Sequence, residues 1–130
     1  MRSLKPKGIE INLDNKPRKL LFTLNVIDDL QEHYNLAINE VLMKMFGETE
    51  EEKKKSYNIL KYIMMVLINE DVDIHNDENS DKWEKVSERY VGRILAKCNT
   101  GFVVTMVLEA FSSSLMETEE EEFPNENSKQ

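Results

Sequence analysis

Residues 8–24 read Gly-Ile-Glu-Ile-Asn-Leu-Asp-Asn-Lys-Pro-Arg-Lys-Leu-Leu-Phe-Thr-Leu, and their pattern decides the fold. Ile9, Ile11 and Leu13 alternate with Glu10 and Asn12, which is the period of a strand buried on one face. The turn Asp14-Asn15-Lys16-Pro17 follows, with two side chains that tolerate left-handed backbone and a proline that limits further pairing. Leu20, Phe22 and Leu24 then resume the same period. A two-stranded hairpin is marginal alone, so this one must pack on helices.

The helices are predicted from the rest of the chain. Asn25 is a suitable N-cap, with Asp28 and Asp29 opposing the dipole, and apolar residues at helical spacing predict one amphipathic helix over Val26–Phe46. Gly47 falls where a helix-ending glycine belongs. Thr49-Glu-Glu-Glu52 is a capping box for a second helix reaching about Ile68, and Asn69–Asn79 reads as an acidic loop. Asn79 or Ser80 caps a third helix whose buried stripe is Trp83, Val86, Tyr90, Ile94 and Cys98. A fourth, with Thr100 as cap, runs from Phe102 to about Met116 and is apolar around most of its circumference. The expected fold is therefore α+β and predominantly α: an N-terminal β-hairpin packed on about four helices over residues 1–116, with a disordered acidic tail over 117–130.

Composition narrows the class of function. The net charge of −8 argues against nucleic acid or an anionic membrane as partner, because such binding needs clustered Lys and Arg. The charge is uneven: residues 1–20 are basic, whereas 117–130 hold six Glu against one Lys. The one cysteine, Cys98, allows no internal disulfide and suits a reducing compartment. The N-terminus lacks the apolar core of a secretory signal, and the longest apolar run, Tyr62–Ile68, is far short of the ~20 residues of a membrane span. A cytoplasmic location is expected.

Catalytic patterns are missing. An EF-hand loop starting at Asp71 would need Gly and Glu where Asn76 and Lys82 stand. His33 reads as a helix-edge residue beside the core stripe and His75 as exposed, and one Cys with these two does not make a spaced zinc motif. Ser112-Ser-Ser114 lacks a nucleophile-elbow context, and the four glycines are scattered rather than gathered in a phosphate loop. No enzyme, cofactor or metal is expected.

Apolar residues on polar faces say more. Leu36 and Met43 sit seven residues apart among Asp29, Glu32, Asn39 and Glu40, and Met65 projects with Asn58, Lys61 and Asn69. Methionine suits surfaces that accept varied apolar partners, since its flexible thioether adapts to shape. Leu36, Met43 and Met65 are thus the candidate partner-binding residues.

Two stretches resemble a known family. The run Ile9-Glu-Ile-Asn-Leu-Asp-Asn-Lys16 followed by Lys19-Leu-Leu-Phe-Thr-Leu-Asn-Val-Ile-Asp-Asp-Leu30, and the later Tyr57–Ile68 helix with its acidic sequel, resemble the tail assembly chaperones of long-tailed phages and prophages. The resemblance covers roughly Ile9 to Met116. It departs at the turn, where a glycine is common in the family and Asn15 stands here. It implies a non-enzymatic protein of the bacterial host cytoplasm that binds the tape measure protein, keeps it soluble and helps recruit tail tube subunits. Such a protein is not expected in the mature particle, and self-association is compatible with the role. The competing reading is a structural neck or head–tail connector component, which would persist in the particle. A small regulator of a host factor is a third.

Overall fold

The computed structural model describes residues 8–122, with side chains as far as Ser114. It is mostly helical with an N-terminal antiparallel hairpin: β1 (Ile9–Leu13), β2 (Lys16–Leu20), α1 (Leu24–Tyr34), α2 (Ile38–Met43), α3 (Glu50–Glu78), α4 (Glu88–Leu95) and α5 (Thr100–Glu122). The expected class holds, and the differences lie in where helices start, break and stop.

The hairpin turns on two residues rather than four. Asp14 and Asn15 both have positive φ (53° and 61°), the primed-turn geometry that matches strand twist. Pro17 therefore lies inside β2, opposite Asn12. Next to a two-residue turn the flanking pair, Leu13 with Lys16, is the hydrogen-bonded one, so the missing N–H of Pro17 falls on the side away from β1. Leu20, Leu21 and Phe22 are fully buried, but Leu24 is 79% exposed because it opens α1 instead of continuing a strand. Thr23, rather than Asn25, is the cap. Its Oγ1 accepts from the Val26 N–H (3.2 Å) while donating to Glu70 Oε2 (2.6 Å), which ties the start of α1 to α3.

The helix expected over Val26–Phe46 is two helices. Asn35 adopts the left-handed conformation (φ 56°) that ends α1, and its N–H donates to the Gln31 carbonyl. The chain restarts at once: Gln31 Oε1 accepts from the Ile38 N–H (2.9 Å) and Glu40 Oε1 from the Ala37 N–H (3.2 Å). These side-chain caps replace the intrahelical bonds lost at the break.

The central element is α3. Its capping box forms as expected, with Thr49 Oγ1 accepting from the Glu52 N–H and Glu52 Oε1 from the N–H groups of Glu48 and Thr49. Leu60, Ile63, Met64, Leu67 and Ile68 are buried along it. The helix does not stop at Ile68. No Gly or Pro interrupts residues 69–78, and Val72, one turn on, is also buried, so the expected acidic loop is helical.

The expected third helix loses its first turns. Residues 79–87 carry no helix and lie against α3, held by two asparagines. Asn69 donates to the Val86 carbonyl (2.9 Å) and accepts from its N–H (2.8 Å), and Asn76 does the same with Trp83 (3.1 and 2.8 Å). Ser87 then caps α4 through the Tyr90 N–H (3.0 Å). Trp83 consequently leaves the core stripe, 46% exposed, and stacks on His75 with ring centroids 3.6 Å apart. His75, expected exposed, keeps only 16% of its side chain accessible.

Asn99 caps α5 in place of Thr100, its Oδ1 accepting from the Phe102 N–H (3.1 Å). Val103, Val107 and Ala110 are buried, and Phe111 meets Phe22 edge to face at 5.2 Å. Ser114 Oγ donates to the Phe22 carbonyl (2.8 Å). The helix runs past Met116 to Glu122, and the rest of the expected acidic tail, 123–130, lies outside the described residues. Among the described residues no helix is long and apolar enough to cross a membrane.

Candidate functional site

The break between α1 and α2 shapes a surface groove of about 530 Å³ against the first turns of α3. Leu36, in the break, and Met43, at the end of α2, both line it. The sequence pairs these two as neighbours on one helix, and the structure brings them together across two elements. Leu36 is half-buried against the core and Met43 is 66% exposed, so one anchors the groove while the other is free to adapt. Met65 is not part of it. That side chain is half-buried on α3 against the core, covered by packing that spacing within α3 does not reveal.

Two residues complete the apolar lining. Phe46, 51% exposed, comes from the link after α2, and Ile59 from α3. The sequence signal for Phe46 is its place as the last residue of the predicted amphipathic helix. Ile59 has none, because its role depends on how α2 crosses α3. The rim is polar, with Asn39, Glu40, Lys44, Glu52 and Lys55.

Gly47 sets the link's path. A Cβ there would stand 2.8 Å from the Glu52 carbonyl carbon, so the link runs flush against the first turn of α3 only because the side chain is absent. Its φ is not left-handed, and its role is close approach rather than the helix-ending conformation expected. Hydrogen bonds from the N–H groups of Glu48 and Thr49 hold the Glu52 carboxyl below the usual glutamate range, so the rim stays charged.

Behind the groove, α1 meets α3 through aromatic rings. His33 stacks on Tyr62 at 3.9 Å, and Tyr34 meets Tyr62 edge-on at 5.8 Å. Burial is the main cause that pushes the Tyr34 hydroxyl up to about 12 and raises that of Tyr62.

The arrangement offers shape and apolar area. Among the described residues no three His, Cys, Asp or Glu side chains converge as a metal site. Ser114 is bonded to a main-chain carbonyl, and the His75–Asp81 contact (3.3 Å) stands beside Trp83. Comparison of the chain with protein-family models, curated proteins and solved structures finds no match.

Proposed function

We propose that this chain is a tail assembly chaperone of a long-tailed phage or prophage, and that the groove lined by Leu36, Met43, Phe46 and Ile59 receives apolar helices of the tape measure protein. The observation that carries the reading is the pair of large apolar side chains left exposed beside that groove, Met43 and Phe46. An amphipathic helix laid in such a groove is a general mode of recognition, and the polar rim keeps the empty surface compatible with water. Burying what remains exposed of Met43 or Phe46 is worth roughly 1–2 kcal/mol each, against association costs of several kcal/mol. One groove therefore binds weakly, and affinity comes from many copies along one long client. The resemblance of Ile9–Leu30 to that family supports the choice of client, as does the acidic charge, which would keep a coated client soluble. Recruitment of tail tube subunits and action in the host cytoplasm belong to the same proposal.

The test is co-expression with a tape measure protein, followed by solubility assay and pull-down. The client is expected to become soluble and co-purify, and Leu36→Asp with Met43→Asp to abolish both effects while the fold persists. Persistent insolubility, with this chain found in purified particles, would replace the chaperone by the connector reading.

A further inference from the structure

A larger cleft, about 950 Å³, lies toward the other end of α3, with β2 as one wall and the 79–87 segment as the other. Ile68, Val72 and His75 contribute to it from α3. The second wall is fixed in place, because Asn69 and Asn76 each hold a main-chain amide and carbonyl of the segment. The cleft is thus preformed.

Arg18 gives it a chemical preference. Residues directly opposite in an antiparallel pair share a face, and Arg18 stands opposite Ile11, which is buried. A guanidinium is thus carried on the core-facing side of the hairpin. Its carbon lies 5.9 Å from the Tyr90 ring centroid, and one terminal nitrogen has only a long contact, 3.5 Å, to the Tyr90 hydroxyl. The Nε is buried without a hydrogen-bond partner. With Nε closed to solvent, the two terminal nitrogens form the fork that meets a carboxylate from the cleft, and no ion pair joins Arg18 to a carboxylate among the described residues.

The surrounding charges are mixed, and the basic excess is on β2, whose cleft-lining charged residues are Lys16, Arg18 and Lys19. Lys16 flanks Arg18 on β2, and Lys19 faces Glu10 across the hairpin. On the far wall Lys85 pairs with Asp73 (3.3 Å) and Lys82 donates to the Asn76 and Asn79 carbonyls. Asp71 and Glu78 on α3 and Glu84 on the 79–87 segment also border the cleft. Strand alternation turns the main-chain groups of Pro17 and Lys19 away from β1, leaving two carbonyls and one N–H for an added strand.

We infer that this cleft binds an extended acidic segment of a partner protein, which adds beside β2 and places a carboxylate on the fork of Arg18. The site stands apart from the groove and does not depend on the client proposed for it.

Trp83 lines the cleft and is the only tryptophan, so its emission reports occupancy in the full chain. The probe is a blocked peptide alternating glutamate with threonine, and the controls are its glutamine counterpart and inorganic phosphate. Saturable change is expected with the acidic peptide, about tenfold tighter than with the glutamine control and weaker at high salt. Arg18→Met should weaken it about tenfold and Lys16→Gln less, both with unchanged circular dichroism, while Met43→Asp in the groove leaves it intact. Three results overturn the inference: no saturable change, indifference to folded Arg18→Met, or an equal response to phosphate, which would make this a small-anion site. A fourth is tighter binding after removal of residues 117–130, which would make the chain's own acidic end the occupant.

Discussion

The two ends of α3 hold their neighbours by different chemistry. Near its start, the side chain of Ile59 shares an apolar groove with those of Leu36, Met43 and Phe46, which carry no hydrogen-bonding groups. Near its end, Asn69 and Asn76 grip Val86 and Trp83 by paired main-chain hydrogen bonds. The spacing explains the second grip. Seven helical residues rise about 10.5 Å, and three residues of extended chain span about 10 Å, so the asparagines meet their amides in register. Apolar contacts are tolerant of sliding and hydrogen-bonded pairs are not. On the proposed function, one end accepts a changing neighbour, while the other fixes a permanent one.

The largest effect should come from what the ends share. Leu67 is fully buried between them, and Leu67→Ala is expected to cost roughly 2–5 kcal/mol in urea unfolding. Trp83 emission and far-ultraviolet circular dichroism should still report one transition. Separate transitions would show that the two ends are independent units, and the contrast would lose its common frame.

Next in size is the clamp itself. Asn69→Ala strips both partners from the part-buried Val86 amide and carbonyl, at about 1–3 kcal/mol, and should shift Trp83 emission toward the red. Asn76→Ala should cost less, because its pair with Trp83 is exposed to water. Met43→Asp at the opposite end should alter stability by no more than about 0.5 kcal/mol, since that side chain is already mostly in solvent. A marked loss from Met43→Asp would mean that the groove is structural and not adaptable.

The contrast also separates what the sequence displays from what it hides. Local devices are legible: the alternation of Ile9, Ile11 and Leu13, and the capping box joining Thr49 to Glu52, each need only neighbours along the chain. The break at Asn35 is obscured because no glycine or proline marks it, and it depends on Gln31 turning to cap Ile38. The acidic run after Ile68 looks like a loop, since negative charge opposes a helix C-terminus. It stays helical where Val72 is buried and Asn69 and Asn76 hold the returning chain. Trp83 fits the helical period of Val86 and Tyr90, yet the clamp pulls its segment straight. Leu36, Met43 and Met65 all read as apolar residues on polar faces, and only the break at Asn35 decides that the first two meet in one groove while Met65, half-buried like Leu36, lies outside it.

The smallest effect is the acid response, and it should differ between the ends. Hydrogen bonds from the Glu48 and Thr49 N–H groups lower the folded pKa of Glu52 beneath its unfolded value of about 4.3. A depressed carboxylate contributes stability that is present above the unfolded pKa and lost as pH falls through the folded one. Comparing thermal midpoints of the parent and Glu52→Gln should therefore show an advantage for the parent at pH about 6 that shrinks as the pH is lowered past about 4. An advantage that stays constant across that range would mean that Glu52 caps by hydrogen bonding alone, with no contribution from its charge. Asn69 and Asn76 carry no titrating proton, so their main-chain clamps are indifferent to the same window. Acid should loosen the first turn of α3, where the groove's rim is anchored, before it loosens the grip on Val86 and Trp83.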